Sequence, residues 1–411
     1  MIKKILSLII AAGTFIGLAA GPAVKPGVEV LRESGFAQLK GKRVGLITNP
    51  TGIDNDLKST VDILAEAPGV ELVALYAPEH GVRGDVHAGD HVDNTVDAAT
   101  GVPVYSIYGK NRKPSAEMLK DVDVLIYDIQ DNGCRSYTFI STMGLAMEAC
   151  AELGKEFMVL DRPNPINGTK VEGNLAEEDC ISFVSQFAIP YLYGLTPGEL
   201  AQYLNGEGLV GDKKVDLTVV PMEGWKRDMT FGATGMPWVL PSPHQPTAES
   251  AIYYPASGIL GELGYMSIGV GYTEPFKLFC AEWIDAEALA RRLNGRGIPG
   301  VKFRPIHIKP FYSVGQGTNI QGVELYVTDL DTAPLSLVQF YVMDELADMY
   351  PEKKTLDNAN PKRFSMFDKV CGSKEIRKRF GKAHKVADIE GYWNKDADAF
   401  KARSSKYYIY K

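Results

Sequence analysis

The stretch VDVLIYDIQDNGCRSY, Val122–Tyr137, decides the reading of the fold. Val122, Val124, Leu125, Ile126 and Tyr127 form a short, almost wholly apolar run, which suits a central strand covered on both faces better than a half-exposed one. The run empties at once into Asp128, Gln130, Asp131, Arg135 and Tyr137. In open α/β sheets ligands gather beyond the carboxyl ends of the strands, where loops hold polar groups that the sheet interior could not accommodate. A single strand of this kind has a plainer explanation, in which Asp128 caps a helix and Arg135 pairs with it. The case for a site comes from recurrence.

Three further strands end in the same way. Arg43–Thr48 runs into Asn49, Pro50, Thr51 and Gly52; Val70–Ala77 runs into Pro78, Glu79, His80, Gly81 and Arg83; the strand in KEFMVLDRPNPING (155–168) closes in Asp161, Arg162, Asn164 and Asn167. VPVYSIY at 102–108 supplies another strand, while STVDILAEA (59–67), PSAEMLKDV (114–122) and STMGLAMEACAELG (141–154) are expected to be helices. Strands alternating with helices predict βαβ units and a mostly parallel sheet. Right-handed crossovers would put every carboxyl end on one rim. A change of character near Ser185 places the domains at 24–185, a parallel α/β domain, and 186–411, a smaller α+β domain. PYLYGLTPG (190–198) is expected to link them, ahead of a helix capped by Thr196 with Glu199 three residues on.

The 411 residues suffice for two domains at roughly 100 to 200 residues each. Lys plus Arg number 44 against 51 Asp plus Glu, a net charge of −7, which argues against a nucleic-acid partner. Residues 1–23 have the layout of a secretory signal: Lys3 and Lys4, an apolar run, then Ala19, Ala20 and Ala23. No cysteine stands at the end of that run for lipid attachment. The expectation is export, removal of the signal with no stable membrane span left, and a periplasmic or secreted protein. The five cysteines form no CxxC pair and read mostly as small buried apolar residues.

Motifs for several chemistries are missing. There is no GxGxxG after the first strand, no GxxxxGK[ST] and no GxSxG. His87 and His91 in HAGDH, beside Asp85 and Asp90, have the spacing of a metal pair, but Gly89 and the surrounding composition indicate a loop, and HExxH is absent. No metal and no cofactor are expected. What remains is carboxylates among arginines, amides and tyrosine. Cleaving a glycosidic bond takes one carboxylic acid to protonate the leaving oxygen and a second group to guide water or stabilise positive charge on the ring. Glu79 is the acid candidate, since it follows an apolar strand directly and desolvation would help it keep a proton. Asp128 and Asp131 are candidates for the second role. Arg83, Arg135 and Arg162 suit a carboxylate on the substrate, which a guanidinium binds bidentately.

APEHG at 77–81 with RG at 83–84, YDIQDNGCRSYT at 127–138, LDRPNPING at 160–168, VEGN at 171–174 and PSPHQPT at 241–247 together make the chain resemble the NamZ-like exo-β-N-acetylmuramidases, bacterial glycosidases that degrade peptidoglycan. The resemblance extends from about residue 27 to the end. It implies a Rossmann-like domain joined to a smaller C-terminal domain, with the active site in the cleft between them. It also implies release of N-acetylmuramic acid units from the non-reducing end of peptidoglycan chains or fragments, without a required metal. By position, Glu79 would be the principal catalytic carboxylate. Asn49, His80, Arg83, Gln130, Asp131, Arg135, Tyr137, Asp161, Arg162 and Asn164 would line the sugar pocket, with Glu172 in support. The lactyl carboxylate of muramic acid would give the arginines their purpose.

The second half departs from the family's pattern. SIGVGYTEPF (267–276) stands where an acidic, arginine-containing run is expected, and Tyr193 replaces a histidine before the GLTPGEL helix. Glu262, a lone glutamate in a Gly-rich loop, is expected to face solvent, with the cleft as the alternative. The altered run motivates an alternative, an exported muropeptide- or sugar-binding protein without turnover; an amidase or esterase on the same polymer lacks its nucleophile and metal motifs.

Overall fold

The structure, a computed structural model, describes residues 24–84 and 94–411. The expected signal segment and the HAGDH histidines lie outside the described residues. The strands of the first domain are β1 (Arg43–Thr48), β2 (Glu71–Ala77), β3 (Thr95–Val96), β4 (Pro103–Ser106), β5 (Val124–Asp128) and β6 (Glu156–Leu160). Next come a two-stranded ribbon, β7 (Val171–Glu172) with β8 (Leu192–Tyr193), and then β9 (Asp216–Val220). The main sheet has the order β3-β4-β2-β1-β5-β6-β9 and is parallel throughout except for β3 on β4. This is the Rossmann-like, mostly parallel sheet the alternation predicts.

Every residue of β5 is buried, as its unbroken apolar run requires for a strand covered on both faces. One face carries α1 (Gly27–Glu33) and α2 (Thr60–Ala65), the latter capped by the Ser59 side chain. The other carries α3 (Phe139–Leu153) and α4 (Pro197–Gly206). Thr196 and Glu199 form a reciprocal capping box at the start of α4. PSAEMLKDV forms turns, not a helix.

The expected boundary at 185/186 is corrected by the sheet itself. Strand β9 lies beyond it, and PYLYGLTPG is no surface linker: Tyr193 and Leu195 are buried in the core of the first domain and Tyr191 and Leu192 in the core of the second. Its aromatic and aliphatic side chains, divided between the two cores, gave this segment a role that its prolines and glycines concealed. The second domain begins with α5 (Ser250–Gly261) and α6 (Ala286–Gly295). It adds an antiparallel sheet, β10 (Leu278–Ala281), β12 (Ile320–Val327) and β11 (Val301–Ile308) in that order, packed against α6, with α7 (Val338–Met349) lying on α5 and α6. The last residues then return to the first domain. Phe400 packs on Tyr203 of α4, and the Tyr410 hydroxyl donates to Asp161 at 2.6 Å.

Candidate active site

Between the domains lies a cleft of about 590 Å³. The first domain contributes Glu79 and His80 at the carboxyl end of β2, Tyr108, Tyr137 and Thr138; the second contributes Tyr254, Glu262, Met266 and Lys369. Glu79 is half-buried. Its Oε2 accepts a hydrogen bond from the Thr138 hydroxyl at 2.9 Å, and its carboxylate also bonds the Tyr108 side chain, whose ionisation is pushed up by burial and then by the Glu79 charge. His80 is buried and holds φ +72°, a left-handed conformation uncommon outside glycine. The tight turn that follows, with the Gly81 amide donating to the Pro78 carbonyl at 3.1 Å, keeps Glu79 at the cleft edge.

The sequence motifs divide into residues that face the cleft and residues that build its walls. Glu79, His80 and Tyr137 line it. Asp128 does not. It is fully buried and bound by Arg162, whose Nε and Nη2 donate to its two oxygens at 2.5 and 3.0 Å, while the Thr60 hydroxyl donates to Oδ2. Arg162 spends its remaining reach on the Ile53 carbonyl at 2.8 Å. The second-carboxylate role expected of Asp128 and the substrate-carboxylate role expected of Arg162 are therefore corrected: each satisfies the other inside the scaffold.

Arg135 is corrected in the same sense. At 0 % exposure it donates to Ser185 Oγ and to the carbonyls of Asn174, Ile189 and Val370, tying the first domain to the helix Phe364–Cys371 of the second. Burial pushes its pKa down to about 10. Arg83 is held by both oxygens of Asp97 at 3.0 Å, outside the cleft lining. Asp161 accepts from the Thr196 hydroxyl, the Gly198 amide and Tyr410, and burial raises it to about 7. Asn164 shapes a turn, donating to the Leu195 carbonyl and accepting from the Ile166 amide. Glu172 supports the seam between the domains by accepting from the Leu335 and Ser336 amides and the Ser336 hydroxyl.

Asp131 is sealed behind the cleft, outside its lining. Its Oδ2 accepts from the Tyr193 hydroxyl and the Gly133 amide, and desolvation raises its pKa to about 6. Tyr193, the departure noted in the sequence, thus supplies a neutral donor to a buried acid. Gln130, beyond β5, donates to the Asp131 carbonyl and is linked through Thr51 to Asn49 at the end of β1; both lie outside the cleft lining. Asn49 Nδ2, Gln130 Oε1 and Asp131 Oδ1 have no hydrogen-bond partner among the described residues.

Sequence reasoning missed three charged groups that do face the cleft. Glu262, expected in solvent, is half-buried at its wall, and burial pushes its carboxyl pKa up, offset in part by Arg363. Arg112 lies on the first-domain side with its guanidinium 4.2 Å from the Phe183 ring centroid. Lys369 lies on the second-domain side. None stands in a strand-end motif, so no local signal marked them. The end of α5, which carries Glu262, and the helix that carries Lys369 reach the cleft only when the domains dock.

The family model described as Exo-beta-N-acetylmuramidase NamZ, N-terminal, matches residues 44–249, and its C-terminal counterpart matches 252–410. The break between them falls at the start of α5. A Bacillus subtilis (strain 168) protein, Peptidoglycan beta-N-acetylmuramidase NamZ, is 46% identical over 392 residues, which is 95% of this chain and 92% of that protein. Crystal structures of two DUF1343 family proteins from Bacteroides fragilis NCTC 9343 are also similar. One has a TM-score of 0.92 at 61% identity and the other 0.75 at 27%; each comparison covers 95% of this chain and 99% of that one.

Proposed function

This chain belongs to the NamZ exo-β-N-acetylmuramidase family and is a glycoside hydrolase; we propose that it releases N-acetylmuramic acid, or a disaccharide containing it, from the non-reducing end of peptidoglycan chains or fragments. The observation that carries this reading is one cleft with Glu79 offered by the first domain and Glu262 by the second. Hydrolysis of a glycoside needs two groups with different duties, and unequal surroundings are how two carboxyls come to differ. Burial lets Glu262 keep its proton to higher pH than a free glutamate, which suits it to protonate the leaving oxygen. Glu79, the acid expected from the sequence, is instead gripped by the Thr138 and Tyr108 hydroxyls and suits the other duty, in which carboxylate oxygens face the charge that develops on the sugar. Among the described residues, Arg112 and Lys369 offer cations to the lactyl carboxylate of the muramyl ring.

The test uses two substrates, a β-linked N-acetylmuramyl–N-acetylglucosamine disaccharide and an aryl N-acetylmuraminide with a good leaving group. Glu262→Gln is expected to lower turnover of the disaccharide by about 10²–10⁴ and that of the aryl glycoside far less, because a good leaving group needs no proton. Glu79→Gln should depress both. Equal losses in Glu262→Gln would refute the proton-donor role, and binding of the disaccharide without release of free muramic sugar at any pH would favour a non-catalytic binding protein. We propose also that the protein works in the periplasm or outside the cell. Lys3, Lys4, the apolar run and Ala19–Ala23 support this, and a mature N-terminus still at Met1 after expression in a native-type host would contradict it.

A further inference from the structure

The cleft continues past its carboxyls. On the second domain its border includes Val270, Ser313 and Val314, and the two segments that carry them are pinned together. The Phe311 amide donates to the Gly271 carbonyl at 2.7 Å. Gly271 has φ +95°, and a Cβ there would lie 2.0 Å from the Tyr312 carbonyl oxygen, so the approach demands glycine. The second segment is closed on itself by the Gly317 amide donating to the Pro310 carbonyl at 2.9 Å. SIGVGYTEPF, which departs from the family's pattern, is therefore one half of a built loop pair at the mouth of the cleft.

That pair presents aromatic rings to solvent. Phe311 is 68% exposed and stacks on Tyr272, with ring planes 18° apart and centroids at 5.9 Å. Tyr312 is 48% exposed, and its hydroxyl shares a 2.8 Å hydrogen bond with His244 Nε2. His244 is near enough to His80 for their charges to interact. A row thus runs from the Glu79–His80 turn through His244 and Tyr312 to Phe311 and Tyr272. Beyond Tyr272 it reaches a groove lined by His307, Lys309, Asn319 and Gln321.

Scattered exposed apolar residues are ordinary, but stacked aromatics held outward by a glycine-dependent contact and continuous with a reaction cleft mark a binding surface. We propose that Tyr272, Phe311 and Tyr312 form a platform for the sugar units of a β-linked glycan on the leaving-group side of the scissile bond, beyond the first two rings. Pyranose rings offer flat C–H faces to an aromatic surface. The polar groove supplies donors and acceptors for hydroxyl and N-acetyl groups. The direction of the chain along the platform rests on the hydrolytic reading above; its affinity for the glycan does not.

The experiment compares a tetrasaccharide of alternating N-acetylmuramic acid and N-acetylglucosamine with the disaccharide. In Phe311→Ala/Tyr312→Ala, the ratio of kcat/KM for the long substrate to that for the short one should fall by about tenfold, and Phe311→Trp alone should keep the ratio. An unchanged thermal midpoint would show that the fold is intact, as expected for exposed positions. Calorimetric affinities for the same glycans, measured in Glu79→Gln with and without the platform changes, should fall in the same ratio. Length-independent affinity and a length-independent rate ratio overturn the platform even if the enzyme is active. Length-dependent affinity without turnover in the unmodified protein overturns the hydrolytic reading and leaves the platform standing.

Discussion

If Asp128 belongs to the scaffold, Asp128→Asn should lower stability while leaving the chemistry of the surviving folded protein nearly intact. Asp128 and Arg162 are 0 and 2 % exposed, and both carboxylate oxygens are committed to the guanidinium and to Thr60. Asparagine keeps the volume and one acceptor oxygen. It leaves the Arg162 charge with the Ile53 carbonyl as its principal remaining partner. Removing one member of a buried ion pair costs about 3–5 kcal/mol, because the other charge stays desolvated and uncompensated. That is a large share of the roughly 5–15 kcal/mol that holds a typical domain together. With an unfolding entropy near 2.1 cal/mol/K per residue over about 225 residues of the first domain, the midpoint should drop by about 6–11 °C. The assay pairs a thermal melt with kcat/KM for the disaccharide at 25 °C, where most of the protein is still folded. A fall in kcat/KM of about a thousandfold with an unchanged melt would refute the reasoning, since it would mean that Asp128 reaches the substrate.

Other expectations follow from the same geometry. Arg112→Ala should raise KM by about tenfold for muramyl substrates while leaving analogues that lack the lactyl carboxylate unaffected, because a charge-assisted hydrogen bond is lost only where the substrate offers a carboxylate; equal effects on both would remove Arg112 from that role. Arg135→Met should weaken the seam between the domains, since four acceptors lose their donor, and a melt that stays single and unshifted would contradict this. Burial raises Asp131 to about 6 and Asp161 to about 7. The folded chain therefore holds protons that the unfolded chain has released above about pH 4. The contribution of these acids is fully present below that pH and is lost as the pH rises through about 6 to 7. Urea midpoints measured from pH 4 to 8 should fall less steeply in Asp161→Asn than in the parent, and parallel curves would count against the assignment.

The sequence by itself determined the parallel sheet, the rim to which its strand ends point and the family. An unbroken apolar strand followed at once by acids and amides can be satisfied only by burial on both faces with a polar edge, and the pattern recurs in β1, β2, β5 and β6. It could not say which polar side chain at that edge would face a ligand. Asp128, Arg135 and Arg162 have the composition of a site, yet each is saturated by partners from elsewhere in the chain: Thr60, the Asn174 and Val370 carbonyls, and the Ile53 carbonyl. A buried charge must be paired or hydrogen-bonded wherever the partner comes from. Those partners stand 39 to 235 residues away in sequence, and only the docking of the two domains brought Glu262 and Lys369 onto the cleft that Glu79 opens.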